Sequence, residues 1–417
     1  MKNLALFVGR FLLLIPVVTA GLGERAVGAD WPNFRGPNHN GISSEPLLLG
    51  RAPKVKHLWG KNIGVGCSSV AVVGGRVYTM SNTGEKDNEK THEDVVYCLN
   101  ANTGKEIWTY RYRCGLNFKF NTPGGPFATP SVDGDRVYTF SRKGDVFCLD
   151  AMTGAFIWHR DVKEELGMKP PFQGGFAGCP LVMGEKVILN AGGAGLALDK
   201  YTGKVIWQSA KEDAAQATPV PFKMGGRQCV AIFSGYGIVG VDSADGTRLW
   251  GFPWDTKYKT NVADPIIADN KVFISTWYDM GCVMLDIATR EPNVLWQNKD
   301  MKNHYSSCVL WKGYLYGFDV ATLKCMDFET GEVKWKLEGG FGRGSLMLAD
   351  RKLIVLTEKG MLLIGDVSPK QFKPVLKEKV ITGKCFTGPV FSGRKIFVRN
   401  LSGHLSCVAL SKPGFRN

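Results

Sequence analysis

Reactive side chains are plentiful in this 417-residue protein, but few stand at spacings that make chemistry. The six histidines, His39, His57, His92, His159, His304 and His404, share no interval of the kind a structural or catalytic metal needs. The eleven cysteines are odd in number, so at least one thiol stays unpaired within a monomer. There is no adjacent cysteine pair, no C-x-x-C and no C-x-x-C-H. Gly235-Tyr-Gly-Ile-Val-Gly240 matches G-x-G-x-x-G but leads into another strand. Without a helix N-terminus behind it, such a loop cradles no phosphate. Asp133-Gly-Asp135 lacks the twelve-residue frame of a calcium loop and reads as a hairpin turn. What remains is a set of polar and aromatic residues, Asp264 and His304 among them, whose meaning depends on the elements that carry them.

Those elements repeat. A turn signature recurs as Leu99-Asn-Ala-Asn-Thr-Gly-Lys-Glu-Ile-Trp108, Leu149-Asp-Ala-Met-Thr-Gly-Ala-Phe-Ile-Trp158 and Leu198-Asp-Lys-Tyr-Thr-Gly-Lys-Val-Ile-Trp207. It continues as Val241-Asp-Ser-Ala-Asp-Gly-Thr-Arg-Leu-Trp250 and Met326-Asp-Phe-Glu-Thr-Gly-Glu-Val-Lys-Trp335. A looser copy from Leu285 to Trp296 replaces the glycine and adds two residues. From Trp59 onward the tryptophans are spaced by 49, 50, 49, 43, 46 and 39 residues, the period of a four-stranded propeller blade. In each unit the Asp caps backbone N–H groups two residues on, the Gly takes positive φ, and the Trp lies on a neighbouring sheet.

A second element, a small residue and often Pro before an apolar strand, opens each unit. Openings fall near Ser69, Thr129, Cys179, Thr218, Asp264, Ser307, Ser345 and Gly388, which predicts eight blades. The expected fold is therefore all-β, an eight-bladed propeller of four-stranded antiparallel blades spanning residues 30–417. Residues 30–54 form an N-terminal extension. The last unit ends at Leu410 without an outer strand, and residues 55–63, carrying Trp59, are expected to supply it and remove both sheet edges. The docking tryptophans are Trp59, Trp108, Trp158, Trp207, Trp250, Trp296 and Trp335, and the seventh unit has none. Cys98, Cys148 and Cys325 share one repeat position and read as small buried hydrophobes.

The Asp-x-x-Thr-Gly-x-x-x-Trp run resembles the docking motif of pyrroloquinoline quinone (PQQ) propellers, which include quinoprotein alcohol dehydrogenases and the outer-membrane assembly factors called BamB. The opening Asp30-Trp-Pro-Asn-Phe-Arg-Gly-Pro-Asn38 is similar to the start of secreted bacterial PQQ-like repeat proteins. The dehydrogenase branch implies a vicinal disulfide under the quinone, a Ca²⁺ held by carboxylate and amide groups, and an Asp base. Vicinal cysteines are missing from this sequence. The resemblance thus implies a binding or assembly scaffold without catalytic residues or resident metal. Its alternatives are a PQQ- and Ca²⁺-dependent alcohol or sugar dehydrogenase with an atypical site, and a carbohydrate-binding propeller in which exposed Trp254, Trp277 and Tyr278 stack sugar rings.

Propellers bind ligands at the channel mouth, on loops entering the first strand of each blade and on loops between the second and third. These loops bring Asn121, Gln173, Phe176, Tyr258, Asn261, Asp264, Tyr278, Asp279, His304 and Arg343 to the mouth. Asp264 stands where other units carry Ser or Thr. It is either a general base with a raised pKa or a bridge to backbone N–H groups across the channel.

Residues 1–29 spell a secretory signal: a basic start at Lys2 and Arg10, an apolar run from Phe11 to Val18, and small residues ending at Ala29, with a cut after Ala20 equally allowed. No Cys adjoins either cut, and no membrane-spanning stretch follows. A periplasmic or secreted monomer is expected. Net charge is +14, yet no basic run of five occurs, so the charge reads as solubility rather than nucleic-acid binding. The expected partner is an envelope protein or peptide.

Overall fold

The computed structural model describes residues 29–50, 52–84, 91–115, 124–171 and 174–411. Residues 1–28 of the expected signal and the candidates Asn121 and Gln173 lie outside the described residues. Within them the polypeptide forms eight four-stranded antiparallel blades of a propeller, one of which gains a short fifth strand in parallel, with no α-helix. Blade 1 sets the pattern, with strands Ala71–Val73, Arg76–Asn82, Glu93–Asn100 and Glu106–Arg113 running from the channel outward. The two middle strands are almost wholly buried, because each sheet is covered on both faces by its neighbours.

Blade 8 is assembled from both ends of the sequence. Val390–Ser392, Lys395–Arg399 and His404–Ser411 come from the C-terminal side, and Lys54–Asn62 adds the outer strand. Pairing runs from Lys54 opposite Ser411 to Asn62 opposite His404, so closure by an N-terminal strand is as expected. The seam with blade 1 is pinned by Arg399, only 1% exposed. Its Nη1 donates to the carbonyls of Ser68 (2.8 Å) and Met80 (2.6 Å) and its Nη2 to that of Gly64 (3.0 Å). Burial pulls the guanidinium pKa down to about 10, and the three carbonyls hold the cation in place.

Six docking indoles donate Nε1–H to a carbonyl in the turn of the next blade. Trp59 reaches Ala101 (3.1 Å), Trp108 Ala151 (3.1 Å), Trp158 Lys200 (3.0 Å), Trp207 Ser243 (3.1 Å), Trp296 Phe328 (3.2 Å) and Trp335 Ser368 (2.8 Å). Each outer strand carries a register shift just before its docking position, a bulge that twists the strand and swings the indole toward its neighbour. The turn glycine matters as much as the indole. A Cβ on Gly104, Gly154, Gly203, Gly246 or Gly331 would come within 2.6 to 2.7 Å of the docked ring. Blade 5 has Thr289-Arg290-Glu291 where blades 1, 2, 3 and 6 have Thr-Gly and blade 4 has Asp245-Gly246, and Trp250, though fully buried, leaves its Nε1 without a partner. In blade 7, Leu376 occupies the docking register opposite Ile364.

Cys98, Cys148, Cys325 and Cys407 each face a docking Trp across the strand pair, and all eleven cysteines are free thiols, ten of them buried. They behave as small apolar spacers beneath the indoles.

The N-terminal extension does more than lead to the closing strand. Trp31 bridges Val72 of blade 1, and the Pro32 carbonyl accepts Val132 N–H of blade 2 (2.8 Å). Arg35 Nη2 donates to the Cys308 carbonyl of blade 6 (2.7 Å), and Ile42–Ser43 pairs in parallel with Leu348 and Ala349 of blade 7. Glu45 accepts the N–H groups of Gly393 (2.8 Å) and Arg394 (2.6 Å) in blade 8. Residues 31–45 thus span the channel at the end where the first and second strands of each blade turn, and stopper it.

The unequal docking bonds make a stability prediction. Trp158→Phe should cost ~1 kcal/mol more than Trp250→Phe in urea unfolding, since only the first loses a made hydrogen bond while the second removes an unpaired donor. Equal costs would show that the indole N–H adds nothing to docking.

Candidate functional site

Side chains two apart along an extended strand point the same way. At each blade entrance, therefore, the opening residue and the residue two before it both face the channel. The inner tier is Ser69, Thr129, Cys179, Thr218, Asp264, Ser307, Ser345 and Gly388. The outer tier, at the mouth, is Cys67, Phe127, Ala177, Gln216, Val262, Tyr305, Arg343 and Phe386, and all eight line one cavity of about 470 Å³. Trp31, Phe34, Arg35 and Gly41 of the N-terminal segment form its floor. The channel is thereby a blind cup, open at the mouth.

The inner tier is stitched around the ring. Ser69 N–H donates to Thr129 Oγ1 (3.0 Å), Thr129 N–H to Cys179 Sγ (3.1 Å), and Cys179 N–H to Thr218 Oγ1 (3.2 Å). Thr218 N–H donates to Asp264 Oδ1 (2.8 Å), and Asp264 N–H to Ser307 Oγ (2.8 Å). These bonds satisfy backbone donors that the short inner strands would otherwise leave buried and unpaired. Asp264 is thus one link in the ring, and its other oxygen faces Arg35 Nε at 3.8 Å. Burial pushes its carboxyl up to about 6, against the opposing pull of the Arg35 charge and the Thr218 N–H. His39, beside Arg35 in the stopper, is held down to about 4 by burial and by that same charge.

The mouth carries an aromatic arc. Trp277 lies 4.2 Å from His304 and 4.8 Å from Tyr278 between ring centroids, His304 stacks on Tyr305 at 3.7 Å, and Tyr305 meets Phe386 at 4.6 Å. The Arg343 guanidinium lies over Trp277 (5.1 Å) and Tyr305 (5.4 Å). His304 is 6% exposed and its Nδ1 has no partner; burial first, then Arg343, holds its pKa down to about 3. Opposite, Arg142 Nε bonds the Gly174 carbonyl and its guanidinium covers Phe127 at 4.6 Å.

Several expected mouth residues are placed elsewhere. Phe176 is fully buried against Phe140 (4.9 Å), and Asn261 is fully buried, bonding the Ser234 carbonyl (2.8 Å) and Thr276 Oγ1 (2.9 Å). Both sit one residue out of phase with the channel-facing tiers. Tyr258 supports Tyr278 edge-on at 5.3 Å from outside the cavity wall, and Asp279 is exposed at a turn tip. Trp254, expected at the surface as a sugar platform, is 3% exposed and donates to Thr276 Oγ1 (3.1 Å); its ring fills the core beside blade 5. The sequence reading missed Phe127, Gln216 and Phe386, which a step of two residues back from each opening would have found. It also missed the floor, for which no repeat offers a signal.

The resemblance to quinone enzymes invites a test of fit for PQQ and Ca²⁺. Calcium takes six to eight oxygen ligands. Among the described residues Asp264 is the one carboxylate on the cavity wall, and its oxygens face the Thr218 N–H and Arg35. The cavity cysteines, Cys67 and Cys179, are far apart in sequence. Among the described residues no cluster of His, Cys, Asp or Glu is able to hold a metal ion. The side chains on this wall do not fit a Ca²⁺-held quinone.

Eight docked blades around a stoppered channel define a repeat propeller of the PQQ type. The protein belongs to the family described as outer membrane protein assembly factor BamB, whose model matches residues 91–337. No curated protein matches the sequence. Among solved structures, the fold is similar to BamB from Moraxella catarrhalis, at 15% identity and TM-score 0.63, covering 87% of this protein and 100% of that one. It is equally similar to the quinohemoprotein alcohol dehydrogenase of Comamonas testosteroni, at 14% identity and TM-score 0.66, covering 93% and 82%. The quinohemoprotein alcohol dehydrogenase ADHIIG of Pseudomonas putida HK5 gives 12% identity and TM-score 0.65 over 93% and 82%.

The buried carboxyl sets a pH signature. A carboxyl whose folded pKa lies above its ordinary 3.8 contributes stability below about pH 4 that is lost as pH rises through about 6. Asp264→Asn should therefore gain stability relative to the parent between pH 4 and 7, read by denaturant unfolding at each pH. If the parent gains instead, attraction to Arg35 outweighs burial.

Proposed function

We propose that the protein is a non-catalytic binding propeller, exported to the periplasm or beyond by residues 1–29, whose aromatic cup receives a segment of a partner envelope protein. Membership of an assembly-factor family supports the reading, and one observation carries it. The cavity wall presents stacked aromatic faces and one cation around a floor closed by the protein's own N-terminal segment, while its one carboxylate among the described residues is engaged by the ring and by Arg35. Such a wall grips an apolar or aromatic side chain by burial and stacking, and its one carboxylate among the described residues is not free to take a substrate proton.

The test places a photo-crosslinking benzoylphenylalanine at position 386, in the mouth, or at position 375, on the exposed outer strand of blade 7. A discrete protein adduct from 386 and none from 375, formed in intact cells, is expected. Purified protein given PQQ, Ca²⁺ and primary alcohols should reduce no dye. Alcohol-dependent dye reduction, or equal labelling from both positions, would overturn the reading.

A further inference from the structure

The charges facing the cup do not cancel evenly. In the inner tier the one carboxylate, Asp264, meets Arg35 of the floor. In the outer tier the one ionised residue is Arg343, since the other seven positions are Cys67, Phe127, Ala177, Gln216, Val262, Tyr305 and Phe386. The Arg343 guanidinium forms no ion pair with a carboxylate of the described residues. The nearby Glu358 is committed instead to the Arg343 backbone N–H, at 2.9 Å. His304 beside it is neutral at physiological pH and keeps a buried, unpartnered Nδ1.

A guanidinium carries five N–H donors in a planar fork that matches a carboxylate, and cation–π contact with Trp277 and Tyr305 holds the group over the arc without using the donors. Partial burial among rings strengthens such a bond relative to one in water. We infer that Arg343 is the carboxylate receptor of the cup, so that the partner segment it takes bears a carboxylate next to an aromatic side chain. This inference rests on the peptide-binding reading above and names the chemistry that reading leaves open. The carboxylate belongs either to the partner's C-terminal residue or to an acidic side group.

Calorimetric titration of the full-length protein with three probes distinguishes these sources: acetyl-Gly-Ser-Gly-Phe with a free C-terminus, the same peptide as its amide, and acetyl-Gly-Ser-Glu-Phe amide. At least one carboxylate probe should bind tenfold or more tighter than the neutral amide, and the preferred one identifies the source. In Arg343→Met that preference should vanish, with thermal melting confirming the fold. Arg343→Lys, which keeps the charge but loses the fork, should retain part of it and serves as the working variant if the Met form does not fold. Equal binding of all three probes would overturn the inference while leaving a peptide-binding cup intact. Failure of every probe at millimolar concentration would overturn it too, with the cross-link from position 386 then deciding the wider reading separately.

Discussion

Most of the blade interfaces depend on one contact, an indole laid on a glycine in the next sheet. A four-stranded blade has two apolar faces and cannot cover either alone, so its stability is the interface it makes. The docked ring lies within van der Waals reach of the turn backbone because no Cβ intervenes, and its N–H then finds a carbonyl in the same turn. Ring, bulge and turn together fix the angle between neighbouring blades at five of the eight interfaces, and side-chain packing sets the other three. Blade 4 faces a turn with Arg290 in place of glycine, and there Trp250 is buried without a partner for its N–H, whereas Trp335 keeps its bond to the glycine-free turn at Ser368.

Closure in turn creates the channel, and strand alternation decides what lines it. Eight entrances deliver two concentric tiers of side chains, and only these need to differ for one propeller to bind and another to catalyse. Here the inner tier serves chiefly to satisfy backbone donors, with Asp264 drawn into that service. The outer tier is left for recognition. The N-terminal segment converts the channel into a cup by placing Trp31, Phe34 and Arg35 across its far end.

Much of this was legible in the sequence, for identifiable reasons. The docking turns announce themselves because caps, positive-φ glycines and tryptophans are local demands that recur at a fixed period. The eight openings were legible too, and through them the inner tier, including the bridging role of Asp264 as one of two alternatives. Phe176 and Asn261 were assigned to the mouth because loop membership was used where strand phase was needed, and each is one residue off the inward-facing register. Trp254 looked exposed because its segment lies outside the docking pattern, yet Thr276 offers its indole a buried partner. The path of the N-terminal segment had no local signal at all. Its partners stand hundreds of residues away, as with Arg35 and Cys308 or Glu45 and Arg394.

Those separations govern the order of assembly. The stopper and the outer strand of blade 8 are made before any complete blade, yet the surfaces that receive them belong in large part to blades made last. Until the final hairpin exists, Trp59 lacks its contact with Phe397 and Glu45 its two backbone donors, and closing loops of this length is entropically slow. The ring therefore locks as one late event, joined at a seam where Arg399 reaches back to Gly64, Ser68 and Met80. A polypeptide released before its last hairpin would carry its own latch with nothing to fasten it to.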